Sequence, residues 1–152
     1  MNRIAIQGGA GSFHEQAARL FYGNHIEVLP CTTFEELFTS MNEGKASGAV
    51  MAIENSIAGD LLPNYALLYK YGKQVKGEII LPIHQNLMAL PGQSIEDITE
   101  VRSHYMAIAQ TREFFKDYPS IRLTESEDTA WSAKEIAVKK LWRTGTIASS
   151  HA

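Results

Sequence analysis

The chain has 152 residues, 45% hydrophobic and 20% charged, with 14 lysines and arginines against 17 aspartates and glutamates and a formal charge of −3. That balance suits a folded protein with a real core and excludes a disordered segment. With no basic surplus and no Lys/Arg block it is a poor partner for nucleic acid, and no apolar run approaches the roughly 20 residues that span a bilayer, so no membrane contact is expected.

A first strand is expected over residues 3–7, and the amino terminus never develops the longer apolar region of a secretory signal, which places the protein in the cytoplasm. The strand empties into Gly8-Gly9-Ala10-Gly11-Ser12-Phe13, ahead of a helix over 12–22. A glycine loop entering a helix offers backbone N–H groups and a positive dipole end to a carboxylate or phosphate; equally, it allows tight packing of helix on strand. The third glycine of the dinucleotide fingerprint and the Gly-Lys-Ser/Thr ending of a P-loop are both lacking, so a nucleotide is disfavoured. A strand over 27–30 leads to Cys31, the single cysteine, which forbids an intrachain disulfide, suits a reducing compartment and reads as a buried or incidental thiol. Thr33 and Glu36 compose a capping box for a helix over 34–43, which Gly44 stops.

The next strand, 48–53, is wholly apolar and gives way at once to Glu54-Asn55-Ser56. Three hydrogen-bonding side chains there are either ordinary turn chemistry or a binding site where an open α/β sheet presents its carboxyl edge. A helix over 61–71 follows, completing the alternation of βαβ units.

After Gly72 the rhythm changes to two extended apolar segments, 74–83 and 86–90. This is expected to be a direct crossing between two α/β lobes, 1–78 and 79–152, with a hinge near 78–84. Beyond it the reading is a short helix over 94–98, a strand over 100–102, a helix over 106–117, a strand over 121–124, a helix over 128–141 and a last strand over 146–148. The second strand-end cluster is Ser103-His104, with Gln110 on the following helix. Neighbouring strand side chains point to opposite faces, so a Ser–His nucleophile is improbable, and Ser103 either caps the helix or donates to a ligand. Asp128 or Thr129 can cap the next helix. The histidines 14, 25, 84, 104 and 151 show no zinc-like spacing, so no metal is expected. Phe13, Phe21, Phe34, Phe38, Phe114 and Phe115 fall at helical spacings and are expected in the core.

Taken in order, Gly11-Ser12-Phe13 with Ala17-Ala18, Phe34 to Phe38, Ile53-Glu54-Asn55-Ser56 with Gly59, Ser103-His104 with Ala107 and Gln110, Asp128-Thr129-Ala130 and Ile147-Ala148-Ser149 closely resemble the prephenate dehydratases over essentially the whole chain. The resemblance implies a two-lobed α/β fold similar to type II periplasmic binding proteins, with a ligand cleft between the lobes. It implies conversion of prephenate to phenylpyruvate in phenylalanine biosynthesis, without cofactor or metal, by a homo-oligomer (dimer or tetramer) in the full-length form. Carried over by position, Glu54, Asn55 and Gln110 would be catalytic, while Gly9, Ser12, Phe13, Ser56, Ser103 and Thr129 would bind substrate. Departures from the family pattern are Ala52 for a proline, Tyr105-Met106 for Pro-Gln and Thr111 for a frequent cysteine. The family's Thr-Arg-Phe motif, its return crossing into the first lobe and the ACT domain that commonly follows are not found, so the chain is expected to be a fragment. A carbon–oxygen lyase is thus the expected function, arogenate is a possible alternative substrate, and the rival class is a non-catalytic sensor for an aromatic carboxylate or amino acid.

Overall fold

The computed structural model describes residues 2–127 and 129–152. The chain divides into two compact units, one reaching Pro82 and the other running from Ile83 to Ala152.

The first unit is built on a parallel three-stranded sheet of β1 (Arg3–Gln7), β2 (Glu27–Cys31) and β3 (Gly48–Val50), ordered β2-β1-β3. Central strand β1 is apolar on both faces because both are covered. Its Ile4 and Ile6 pack with Ala18 of helix α1 (Phe13–Tyr22), and its Ala5 packs with Leu37 and Phe38 of α2 (Phe34–Asn42). The expected capping box opens α2: Thr33 Oγ1 accepts from Glu36 N at 3.2 Å, and the Glu36 carboxylate accepts from Thr33 N.

Strand β3 ends at Val50, short of the expected residue 53, because its ladder with β1 closes at the Ile6–Val50 pair and β1 itself runs only one residue further, to Gln7. The chain then forms a small antiparallel hairpin of β4 (Glu54–Asn55) and β5 (Gly59–Asp60) before α3 (Leu62–Tyr71). Helix α3 starts with Pro63 in its first turn, where a missing N–H costs nothing, and stops at Gly72 in the left-handed conformation with φ 58°. Residues 73–85 form no ladder, and Val75 and Ile80 are exposed, so this apolar stretch is not a strand.

The second unit has a four-stranded sheet ordered β6-β9-β7-β8: β6 (Asn86–Met88), β7 (Glu100–Ser103), β8 (Arg122–Glu125) and β9 (Thr144–Ala148). β6 runs antiparallel to β9 and the remaining pairs are parallel. Helix α4 (Tyr105–Phe115) sets Ala107, Ile108 and Phe115 on Val101 and Ile147, while α5 (Thr129–Lys139) lies against β9 and β7. The short helix is a single 3-10 turn, Ile95–Asp97. Strand β9 is two residues longer than expected, because Thr144 and Gly145, a polar residue and a glycine that do not look like strand, are buried within it. The expected start of the fifth helix at Asp128 lies outside the described residues. The aromatic reading needs correction at two positions. Phe38 and Phe115 are buried, but Phe21 and Phe114 are 40% and 49% exposed.

Candidate functional site

The two sheets repeat one wiring. In the first unit the chain passes from β1 to β2 on one side and then back across to β3 on the other. Connections therefore diverge between β1 and β3, which is where open α/β sheets leave a crevice at their carboxyl ends. In the second unit β7, β8 and β9 follow the same order, so the divergence lies between β7 and β9. Most of the residues singled out in the sequence follow these four strand ends.

The glycine loop follows β1. Gly8 N donates to Cys31 O at 2.9 Å, and Gly11, at φ 83°, turns the chain into α1. Ser12 is buried and caps that helix, its Oγ accepting from Glu15 N at 3.2 Å. The Glu15 carboxylate folds back to accept from Gly11 N at 2.7 Å and is itself held by Arg19 Nε at 2.8 Å. The helix start thus already carries an internal carboxylate, which reduces its capacity for an external anion. Phe13, Ser12 and Gly9 all sit on this turn. Cys31 is buried, and its desolvation pushes the thiol above its ordinary range, the opposite of an activated nucleophile.

The Glu54–Ser56 triplet follows β3 by way of residues 51–53. Here turn chemistry is present in full. Asn55 Oδ1 accepts from Ile57 N at 2.9 Å and Ala58 N at 3.2 Å, which fixes the hairpin. Behind it, Leu61 N donates to Ile53 O at 2.8 Å and the buried Asn64 donates its Nδ2 to Ala52 O at 2.7 Å. Nothing among the described residues accepts from Asn55 Nδ2, so the amide's donor end is available. Glu54 and Ser56 are exposed.

In the second unit Ser103 is fully buried and its Oγ donates to Ile147 O at 2.6 Å, tying β7 to β9 where the connections diverge. It does not cap α4. That task falls to His104, whose Nδ1 accepts from Met106 N at 3.3 Å. The correction has a simple cause: β7 extends one residue further than expected, so Ser103 is a strand residue and the next residue becomes the cap. Ser103 and His104 make no nucleophile–base pair. Gln110, half-buried on α4, accepts at its Oε1 from Gln85 Nε2 at 2.7 Å. Thr129 is the first residue of α5 rather than its cap.

Two residues at these strand ends were given no site role from the sequence. Gln85 stands just before β6, and its side chain meets Gln110 25 positions away, a contact no local pattern signals. Ser149 is buried directly after β9, and its Oγ accepts from His151 N at 3.1 Å. Its place after the final apolar strand matched the polar caps of the other strands and could have drawn attention to it. Among the described residues no group of three or more His, Cys, Asp or Glu could hold a metal ion, and no helix is long and apolar enough to cross a membrane.

Comparison with known proteins gives a consistent result. Residues 4–152 match the family model for prephenate dehydratase. The chain is 38% identical over 151 residues to arogenate dehydratase 5, chloroplastic, of Arabidopsis thaliana, covering 99% of this chain and 35% of that protein. It is 34% identical over 148 residues to the bifunctional chorismate mutase/prephenate dehydratase of Aquifex aeolicus (strain VF5), covering 97% of this chain and 40% of that protein. Among solved structures, the prephenate dehydratase of Staphylococcus aureus subsp. aureus Mu50 superposes with a TM-score of 0.78 at 25% identity, over 98% of this chain and 55% of that one. GqqA, described as a novel type of quorum quenching acylase, superposes with a TM-score of 0.85 at 28% identity, over 99% of this chain and 54% of that one. The chain therefore spans between a third and two fifths of these curated relatives and about half of the solved chains.

Proposed function

Since the chain belongs to the prephenate dehydratase family, we propose that the protein converts prephenate to phenylpyruvate, a step of phenylalanine biosynthesis, using hydrogen-bonding side chains at its strand ends and no metal or cofactor. The observation that carries this reading is the family match from residue 4 to residue 152. The fold agrees with it, since Glu54-Asn55-Ser56 and the glycine loop border one divergence point and Ser103 borders the other.

Atom balance states what such a site must do. The bond from the ring to its carboxylate breaks, its electron pair enters the ring, and the C–O bond at the opposite ring carbon breaks. With one added proton, the prephenate dianion becomes phenylpyruvate, carbon dioxide and water. Hydroxide is the poor leaving group, so a hydrogen-bond donor near it lowers the barrier; taking the ring carboxylate out of water assists loss of carbon dioxide.

Two side chains are prepared to donate. Asn55 has its Oδ1 occupied by the hairpin and Gln110 has its Oε1 occupied by Gln85, so each carboxamide has its N–H end left for an oxygen of the ligand. Neutral donors held in place can orient a dianion without lysine or arginine, and orientation is then much of the rate. Gly9, Ser12, Phe13, Ser56, Ser103 and Thr129 complete the proposed substrate contacts, Ser103 chiefly by fixing the β7–β9 crevice. Glu54 stands with Asn55 and Gln110 in the proposed catalytic set, its carboxylate exposed on the same hairpin as Asn55. No donor to the departing hydroxide is assigned among these 152 residues.

Incubation of the full-length form with prephenate, followed by the absorbance of phenylpyruvate, tests the reading, and arogenate run in parallel reports on the substrate named for the plant relatives. Turnover of prephenate that falls about tenfold in Asn55→Ala or Gln110→Ala, roughly 1.4 kcal/mol of transition-state stabilisation, is the expected outcome. Saturable binding with no product by the full-length form would favour a sensor, and near-normal turnover by both variants in that form would defeat the site assignment. The likeness to an acylase supports no hydrolytic reading here, because Ser103 Oγ bonds a main-chain carbonyl and His104 Nδ1 accepts from a main-chain N–H. A cytoplasmic location and a dimeric or tetrameric working form belong to the same proposal and are read by cell fractionation and sedimentation.

A further inference from the structure

We propose that Gln85 is a positioning residue that determines which end of the Gln110 carboxamide meets a ligand. A carboxamide has nearly the same shape with its oxygen and nitrogen exchanged, so the neighbour that binds one end decides what the other end offers. Gln85 Nε2 donates to Gln110 Oε1 at 2.7 Å, and nothing among the described residues accepts from Gln110 Nε2. Gln110 therefore presents two N–H donors, which select an oxygen of a carboxylate, ketone or hydroxyl and reject an ammonium group.

The surroundings of Gln85 hold the pair in this sense. Its Oε1 is buried and, among the described residues, has no hydrogen-bond partner. Turning both amides over would give that oxygen's place to the nitrogen and leave two N–H donors buried beside Gln110 instead of one carbonyl, a poorer arrangement. A buried polar atom left unpaired calls for a reason. Here the reason is that the same side chain must supply the donor that orients Gln110. This rests on the reading of Gln110 as a ligand-contacting residue.

The test uses the chain with 15N in its glutamine side chains, first without ligand and then titrated with prephenate. In the ligand-free protein, Gln110→Ala is expected to speed hydrogen exchange of the Gln85 side-chain amide about fivefold, the effect of one hydrogen bond of ordinary net strength. Gln85→Met is expected to move the Gln110 side-chain amide resonances. On titration, Gln85→Met weakens prephenate binding about fivefold in the parent but not further in a Gln110→Ala background. Unmoved Gln110 resonances in Gln85→Met, or losses of affinity that simply add, would overturn the proposal. Coupled amides in a chain that does not bind prephenate would leave Gln85 as the orienting residue and sink the substrate reading instead. Because Gln110→Ala leaves Gln85 intact and alanine favours a helix, the exchange measurement does not depend on Gln85→Met folding.

Discussion

At the scale of single residues, a choice that sequence left open dissolves. Glu54-Asn55-Ser56 reads as either turn or site, and Asn55 allows both at once: its oxygen makes the turn while its nitrogen is left over. The two roles can be separated. Asn55→Asp keeps the acceptor and should preserve thermal stability while losing prephenate affinity, whereas Asn55→Ala should lose affinity and in addition about 1 kcal/mol of stability. Equal stability of the two variants would remove the turn role. A second residue-scale expectation concerns acid. Glu100 is buried and accepts from Thr124 Oγ1 at 2.7 Å and from Arg122 and Arg102 at 3.0 Å each. The Thr124 hydroxyl first, and the two guanidinium groups with it, hold its carboxyl below the ordinary glutamate range. A carboxyl lowered in the folded state adds stability above its unfolded pKa and loses it as the pH falls through its folded value. Glu100→Gln should therefore lower the melting temperature at pH 7, and the difference from the parent should shrink below about pH 4. A difference that stays constant with pH would contradict the pairing.

Single elements show why some of the fold was legible and some was not. Helix α2 could be read almost to the residue because its signals are local: the Thr33–Glu36 box opens it and Gly44 follows it. Thr33→Ala should cost about 1 kcal/mol in chemical unfolding, and no loss would mean that the cap is already replaced by water. The ends of β3, β7 and β9 were misjudged for a non-local reason, since a strand stops where its neighbour stops. Residues 51–53 are as apolar as a strand yet lie past the last β1 pair, Ile6–Val50, while Thr144 looks polar yet is buried. Packing at Gly48 was invisible for the same reason. A Cβ there would stand 2.8 Å from the Tyr22 hydroxyl, so Gly48→Ala should cost about 1–3 kcal/mol by overpacking. Tyr22→Phe removes the obstructing oxygen and should recover much of that loss; a double variant no better than the sum of its parts would place the strain elsewhere.

Across the whole molecule, the βαβ alternation and the polar strand ends drew attention to Glu54-Asn55-Ser56, Ser103 and the glycine loop, because ligand-binding chemistry in such sheets gathers where connections diverge, while their assignment as a site came from the resemblance to the prephenate dehydratases. What stayed hidden was how each polar group is already engaged. Glu15 fills part of the glycine loop's donor capacity, Ser103 is taken up within its sheet, and Gln85 reaches Gln110 across 25 positions. Those contacts convert a set of polar residues into two oriented amide donors, Asn55 and Gln110, on which the proposed chemistry depends. Calorimetric titration of the chain with prephenate, beside Asn55→Asp and Gln110→Ala, tests this most directly. Saturable binding by the parent that weakens about tenfold in each variant, near 1.4 kcal/mol, is the expected result. Binding that is absent, or that is unchanged in both variants, would contradict it.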